Sequence, residues 1–288
     1  MAINHLFIIR RVTSNIFLLT FSVNRGIINH KVIRKEKPKM NICIFDTETT
    51  SLEKPYCYNI GYVIYNLENR QILKEKDFVI EQIWHNLPLF NTSYYAEKRP
   101  IYINRLRARQ ITMEKIGYIT QKMIRDFDNF NVFGAYAYNS SFDERVFNFN
   151  CDWFKIINPF EKVPIFDIKG YAHNFIVNNL EYEKFCEENE LFTDAGNYSS
   201  TAETVYKFIT NDNNFVEEHT ALSDSRIETE ILQYCFDKGA EVNEIYKSKI
   251  SIARQIPTPF KIFVDNEILY DGDYIKKYVR KNLFKFTT

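Results

Sequence analysis

Ile42-Cys43-Ile44-Phe45-Asp46-Thr47-Glu48-Thr49-Thr50 is an apolar run interrupted by two carboxylates two positions apart. Its first four residues form the short continuous apolar segment expected of a strand buried on both faces. Side chains alternate along a strand, so Asp46 and Glu48 point one way and Thr47 the other. Two like charges brought together at the end of a buried strand are costly unless something positive lies between them. Hard oxygen ligands suit Mg²⁺ or Mn²⁺, and Mg²⁺ takes one or two protein carboxylates together with water and substrate phosphate. The other reading of the stretch is a strand running out into a polar, Thr-rich turn with solvated charges.

Composition narrows the class without choosing between these readings. The 288 residues are 45% hydrophobic and 26% charged, ordinary for a globular chain and enough for a sizeable core. Five cysteines, Cys43, Cys57, Cys151, Cys186 and Cys235, are scattered with no CxxC pair. That argues against a zinc site or a disulfide framework and for a reducing, cytoplasmic location. The formal charge of zero hides an asymmetry: residues 1–39 hold eight Lys or Arg against one acid, leaving 29 basic and 36 acidic residues, a net −7, in 40–288. A polyanion handled by this body has to be held by local patches and bound cations. The longest apolar stretch near the start, Ile16 to Val23, is too short to span a bilayer, so no membrane association is expected. Because Met40 directly precedes the strand, residues 1–39 are expected to be a disordered tail or an upstream reading-frame extension.

Working outward, Cys57 to Tyr65 and Ile72 to Ile80 read as strands of an antiparallel hairpin beside the first. Thr112 to Phe127 has helical spacing at Ile116, Ile119, Met123 and Phe127, and Val132 to Tyr138 reads as another buried strand. Ser141 to Phe149 reads as a short helix capped by Ser141. Val163 to Phe166 is a further strand ending at Asp167, with helices at roughly 168–178, 181–190, 199–210 and 221–238. The resulting expectation for 40–240 is one α/β domain with a mixed five-stranded sheet flanked by helices. Ligands collect at the carboxyl ends of strands in such sheets, where Asp46 and Glu48 lie. Residues 241–288 read as a small C-terminal appendage: a hairpin of Phe260 to Val264 with Glu267 to Tyr270, then a basic amphipathic helix from Tyr274 to Phe286. That helix would grip nucleic acid or a partner, or pack with its lysines in water.

Two further clusters carry chemistry. In Tyr138-Asn139-Ser140-Ser141-Phe142-Asp143-Glu144, Asp143 lies in the first turn of a helix, where the dipole favours a carboxylate. It faces the first pair only if the first and fourth strands are neighbours; otherwise it is a helix-start acid. In Glu218-His219-Thr220-Ala221-Leu222-Ser223-Asp224, an ideal helix would turn His219 and Asp224 about 140° apart. They converge only if His219 lies in the loop before the helix and Asp224 in its first turn.

Taken together and in this order, the Asp-Thr-Glu, the Asn-Ser-Ser-Phe-Asp and the His followed five residues later by Asp resemble the three motifs of the DEDDh, or DnaQ-like, 3′-5′ exonucleases. The resemblance covers about residues 40–238. It implies an RNase H-like fold, two Mg²⁺ or Mn²⁺ ions held by Asp46, Glu48, Asp143 and Asp224, and His219 as general base. Phosphodiester hydrolysis needs a nucleophilic water and charge neutralisation at phosphorus, which a pair of divalent ions supplies, and an imidazole takes the water's proton near neutral pH. Two departures stand out: Ser51 occupies a position that is commonly Gly, and Tyr138 precedes Asn139 where many members have His. Asp167 is the runner-up carboxylate, with turning the chain into a helix as its other role.

A substrate terminus has to reach the acids, and the richest mixture of aromatic and basic residues runs from Tyr94-Tyr95 through Lys98-Arg99 to Arg109. Arg105, Arg107 and Arg109, with Thr47, Asn139 and Phe142 from the first two motifs, are the candidates for substrate contact. An ordinary solvated helix face beside core tyrosines is the alternative. The function expected is a metal-dependent 3′-5′ exonuclease acting on single-stranded nucleic acid, DNA first, in proofreading or replication-associated trimming beside a DNA polymerase. The alternatives are an exoribonuclease on short RNA and a non-catalytic nucleic-acid- or polymerase-binding module.

Overall fold

The computed structural model describes residues 41–194 and 196–248, together with the backbone of four outlying strands. The chain divides into two units, Met1–Lys39 and Met40–Thr288. In the first, β1 (Phe7–Val12) and β2 (Asn15–Thr20) pair antiparallel within the stretch expected to be a tail or extension. The rest of 1–39 lies outside the described residues.

In the second unit, β3 (Asn41–Thr49), β4 (Cys57–Asn66) and β5 (Gln71–Ile80) make an antiparallel meander. β6 (Thr112–Glu114) joins β5 in parallel, and β7 (Val132–Ala137) and β8 (Ile165–Asp167) follow in parallel from β3. The order β6-β5-β4-β3-β7-β8 makes a mixed sheet of six strands. The sixth strand corrects the expectation of five: Thr112 to Glu114 were expected to open a helix, but they close onto the free edge of β5 at Phe78 to Ile80.

Three short helices, α1 (Glu81–Trp84), α2 (Leu87–Phe90) and α3 (Arg99–Arg107), separate β5 from β6, and α4 (Ile116–Phe130) leads to β7. α5 (Ser141–Phe154) connects β7 to β8. α6 (Ile168–Ala172) runs on into a π-helical turn at His173–Val177, and α7 (Leu180–Glu188), α8 (Ala202–Thr210) and α9 (Ala221–Asp237) follow. Beyond them, β9 (Pro257–Val264) and β10 (Glu267–Ile275) pair antiparallel, as the expected hairpin does. The amphipathic helix expected from Tyr274 lies, after Ile275, outside the described residues. Residues 241–248 pack on the main body: Tyr136 Oη donates to Asn243 Oδ1 at 2.6 Å, and Tyr246 rests against the Tyr171 ring at 4.7 Å.

The alternation along β3 decides which helices lie on which face. Cys43 and Phe45 belong to a core with Met123 and Phe127 of α4 and Val146 and Phe147 of α5. Ile42 and Ile44 belong to a second core with Tyr171 of α6, Val205 of α8 and Ile231 and Leu232 of α9. A strand apolar on both sides is what two such layers require. Asp46 and Glu48 continue the Ile42–Ile44 face and so look toward α9, whereas Thr47 continues the α5 face.

Gly61 brings α9 close to the sheet. It pairs with Asp46 across β3 and β4. A Cβ placed there would lie 2.1 Å from Leu222 N and 2.2 Å from Ala221 C, both main-chain atoms at the start of α9. Gly61→Ala therefore forces the helix outward. It is expected to cost about 3 kcal/mol of stability, at the severe end of overpacking, and to carry Asp224 away from Asp46; urea unfolding reads the loss of stability.

Candidate active site

Asp46 and Glu48 stand at the carboxyl end of β3, just before a register shift that separates Glu48 from Thr49. The turn that follows is closed by Ser51, whose hydroxyl accepts the Lys54 N–H at 3.1 Å; this is how the chain turns where a Gly was expected. Asp224 occupies the first turn of α9, and His219 lies in the loop before it. Carboxylate oxygens of Asp46, Glu48 and Asp224 fall within 4.8 Å of one another.

Asp143 arrives from the other face. β3 and β7 are neighbours, with Ile44 paired to Tyr136, so α5 starts beside the end of β3. Thr47 Oγ1 donates to Asp143 Oδ1 at 2.7 Å. The condition that the first and fourth predicted strands be adjacent is met. Asp143 is the carboxylate whose charge bears most on Asp46.

The turn delivering Asp143 is held by Asp167, whose Oδ1 accepts the N–H of Asn139 at 2.9 Å and that of Lys169 at 3.0 Å. No side chain caps α5, contrary to the part expected of Ser141; Ser140 takes the N-cap position. Asn139 is in the left-handed region at φ 62°, where Asn is tolerated better than most residues.

α9 is anchored from below by Asn59, the cross-strand partner of Glu48. Asn59 Oδ1 accepts the Ala221 N–H at 2.9 Å and the Tyr102 hydroxyl at 3.0 Å, and its amide donates to Asp77 at 2.6 Å. This fully buried amide satisfies one of the N–H groups that a helix start leaves without an internal partner.

His219 sits at the rim. Its backbone takes φ 54°, its ring stacks on Tyr95 with centroids 4.6 Å apart, and its Nδ1 lies 3.6 Å from Glu217. Burial, then the charge of Glu48, raises the Tyr95 phenol to about 12. The stacked pair therefore borders the acid cluster. Lys98 lies over the Tyr95 ring at 4.3 Å and donates to the Glu218 carbonyl at 2.6 Å. Burial and the Lys98 charge push the His219 imidazole below its usual value, so it is neutral at pH 7.

The acids move the opposite way. Burial raises Asp143 to about 7 against the bond from Thr47, and burial with Glu217 raises Asp224 to about 8 against Lys98. Asp46 and Glu48 are also raised, by burial first and then by Asp143 and Asp224 respectively. Asp224 Oδ1 and Glu228 Oε2 are buried with no hydrogen-bond partner. Converging hard oxygens, unsatisfied lone pairs and destabilised negative charge fit a divalent cation. Without one, groups raised in the folded state stabilise it fully only below the unfolded carboxylate value of 3.8, and that contribution is lost as pH rises through about 7 and then about 8. The metal-free protein is expected to melt at falling temperature from pH 5 to pH 9, with Mg²⁺ recovering most of the loss at the alkaline end; scanning calorimetry with and without EDTA measures it.

The other sequence candidates are placed as follows. Arg105 is turned inward, donating to Thr220 Oγ1 at 3.1 Å and pairing with Glu218, so it braces the loop that carries His219. Arg107 and Arg109 are exposed at the end of α3, and Phe142 is half-buried under Arg145. Tyr102 is core, while Tyr94 is 85% exposed. Sequence reading did not single out Glu228, Asn59 or Glu217. Glu228 had a usable signal, the i,i+4 spacing from Asp224; Asn59 and Glu217 had none beyond being polar.

An RNase H-like α/β sheet carrying acids at the ends of β3, α5 and α9 is the class these features define, and the fold is that of DEDDh exonuclease domains. No protein-family model matches the sequence, and no curated protein sequence does. Among solved structures, the nuclease domain of 3'hExo, a DEDDh family member bound to rAMP, is similar at a TM-score of 0.51 and 15% identity over 74% of this chain and all of that one. Exonuclease I is similar at 0.46 and 14%, over 70% of this chain and 42% of its own length. E. coli Exonuclease I in complex with a dT13 oligonucleotide gives 0.45 and 14%, over 68% and 40%. Among the described residues no helix is long and apolar enough to cross a membrane.

Proposed function

We propose that this chain is a metal-dependent 3′-5′ exonuclease acting on single-stranded nucleic acid. The observation carrying the proposal is that Asp46, Glu48 and Asp224, from two distant segments, converge within 4.8 Å while Asp143 is bonded to the intervening Thr47. These four carboxylates would hold two Mg²⁺ or Mn²⁺ ions. Bound there, the ions supply charge neutralisation at the scissile phosphate and a more acidic water. His219, neutral and stacked against Tyr95, accepts the proton of the attacking water. Lys98 offsets part of the negative field that would otherwise repel a phosphodiester. Exposed Tyr94, Arg107 and Arg109 offer a base-stacking ring and two cations to an approaching strand.

DNA is the first substrate of this reading, with replication-associated trimming beside a DNA polymerase as its setting and the cytoplasm as its location. A second reading, exoribonuclease activity on short RNA, is favoured by the rAMP bound in the similar nuclease domain of 3'hExo. End-labelled DNA and RNA oligonucleotides, incubated with the protein and Mg²⁺, Mn²⁺ or EDTA, separate the two. Stepwise shortening from the 3′ end only with metal is expected. Binding without hydrolysis under every condition would make the chain a nucleic-acid-binding module instead.

A further inference from the structure

One acid of the cluster belongs to none of the three motifs. Glu228 lies one helical turn beyond Asp224 on α9, so both carboxylates share a face of the helix. It is 3% exposed, and the residue before it, Ile227, is core. Burial first, then Asp143 and Asp224, raises its carboxyl well above the usual carboxylate range, against a bond from the backbone N–H of Tyr138 at the end of β7. Its Oε2 is nevertheless buried without a hydrogen-bond partner. Asp143 and then Asp224 are the charges that bear on it most, and it bears in turn on Asp46. Glu228 is not one of the three carboxylates, Asp46, Glu48 and Asp224, whose oxygens fall within 4.8 Å of one another.

A buried acid coupled to the other acids weakens the metal-free fold, and an apolar side chain of the same size would occupy that space without the penalty. The arrangement becomes favourable when a cation and its water shell fill the centre, because the unsatisfied oxygen then gains both a charge and a donor. Groups that hydrogen-bond to metal ligands or to metal-bound water govern affinity by fixing them in place.

We propose that Glu228 is a positioning residue of the cation site, held at the end of β7 by Tyr138, whose free oxygen accepts a hydrogen bond from water on the cation and whose charge strengthens cation binding. This rests on the reading of the site as a divalent-cation centre. The test is a Mn²⁺ titration of the full chain followed by electron paramagnetic resonance, for wild type, Glu228→Gln and Glu228→Leu, with thermal unfolding in EDTA alongside. Both variants are expected to keep or raise the metal-free melting temperature while the Kd for Mn²⁺ rises about 10-fold or more. The Mn²⁺ concentration giving half-maximal hydrolysis shifts in parallel. Kd values within twofold of wild type in both variants, whether or not they melt lower, would overturn the proposal and assign Glu228 a packing role. A wild type with no saturable Mn²⁺ binding would overturn it together with the metal-dependent reading. Weakened Mn²⁺ binding in the variants of a wild type that cleaves no oligonucleotide would support Glu228 and remove only the nuclease assignment.

Discussion

Asp224→Asn is expected to lower turnover by at least about 10³-fold and, in the same protein, to raise thermal stability in EDTA. The first effect follows from the proposed function, in which Asp224 is one of the carboxylates that would hold the cations, whose charge stabilisation is worth several kcal/mol in the transition state. The second follows from the cluster itself. Burial raises Asp224 to about 8, and its Oδ1 has no partner. The isosteric amide removes a charge that the metal-free fold has difficulty holding. Opposite movements of activity and stability distinguish a functional acid from a structural one. Calorimetry at pH 8.5 in EDTA, beside single-turnover hydrolysis in Mg²⁺, gives both numbers. An equal loss of both would mean that Asp224 is chiefly a helix-start residue of α9.

His219→Ala is expected to lower turnover by about 10²- to 10⁴-fold, the range for removing a positioned general base, while Mn²⁺ affinity stays near wild type. The imidazole borders the acid cluster through Tyr95 and is not among the three groups that converge on its centre. The pH profile carries a signature. Because burial and Lys98 push His219 down, the base form is populated above a pH lower than 6.5, so the wild-type rate climbs on the acid side of that value and levels toward neutrality. In His219→Ala that limb disappears. A variant retaining near-normal turnover would remove His219 from the mechanism.

Legibility in the sequence followed the range of the interactions. β3 could be read because everything that makes it a strand, four apolar residues in a row and the alternation placing Asp46 and Glu48 together, lies within nine residues. Read from sequence, α5 ends at Phe149. It runs to Phe154 because Asn150 is buried, accepting the Cys57 N–H at 3.1 Å and donating to Pro55 O at 2.8 Å, partners nearly a hundred residues away. β6 has only three residues and exists because β5 offers it an edge. Arg105 looked like a phosphate-binding cation; in three dimensions Glu218 and Thr220 engage it. The helix expected at roughly 168–178 is α6 followed by the π-helical turn, with His173 buried where the two join.

By itself the order of residues determined the local facts. Asp46 and Glu48 share a face, Asp143 begins a helix, and His219 and Asp224 straddle a helix start, because backbone periodicity and capping act over a few residues. Only the tertiary structure decided that these pieces meet. It did so by seating β3 between β4 and β7, letting α9 approach through the missing side chain of Gly61, and tying Thr47 to Asp143 across the sheet's end. Strand order and close backbone approach depend on packing between segments far apart in the chain, and no short-range pattern encodes them.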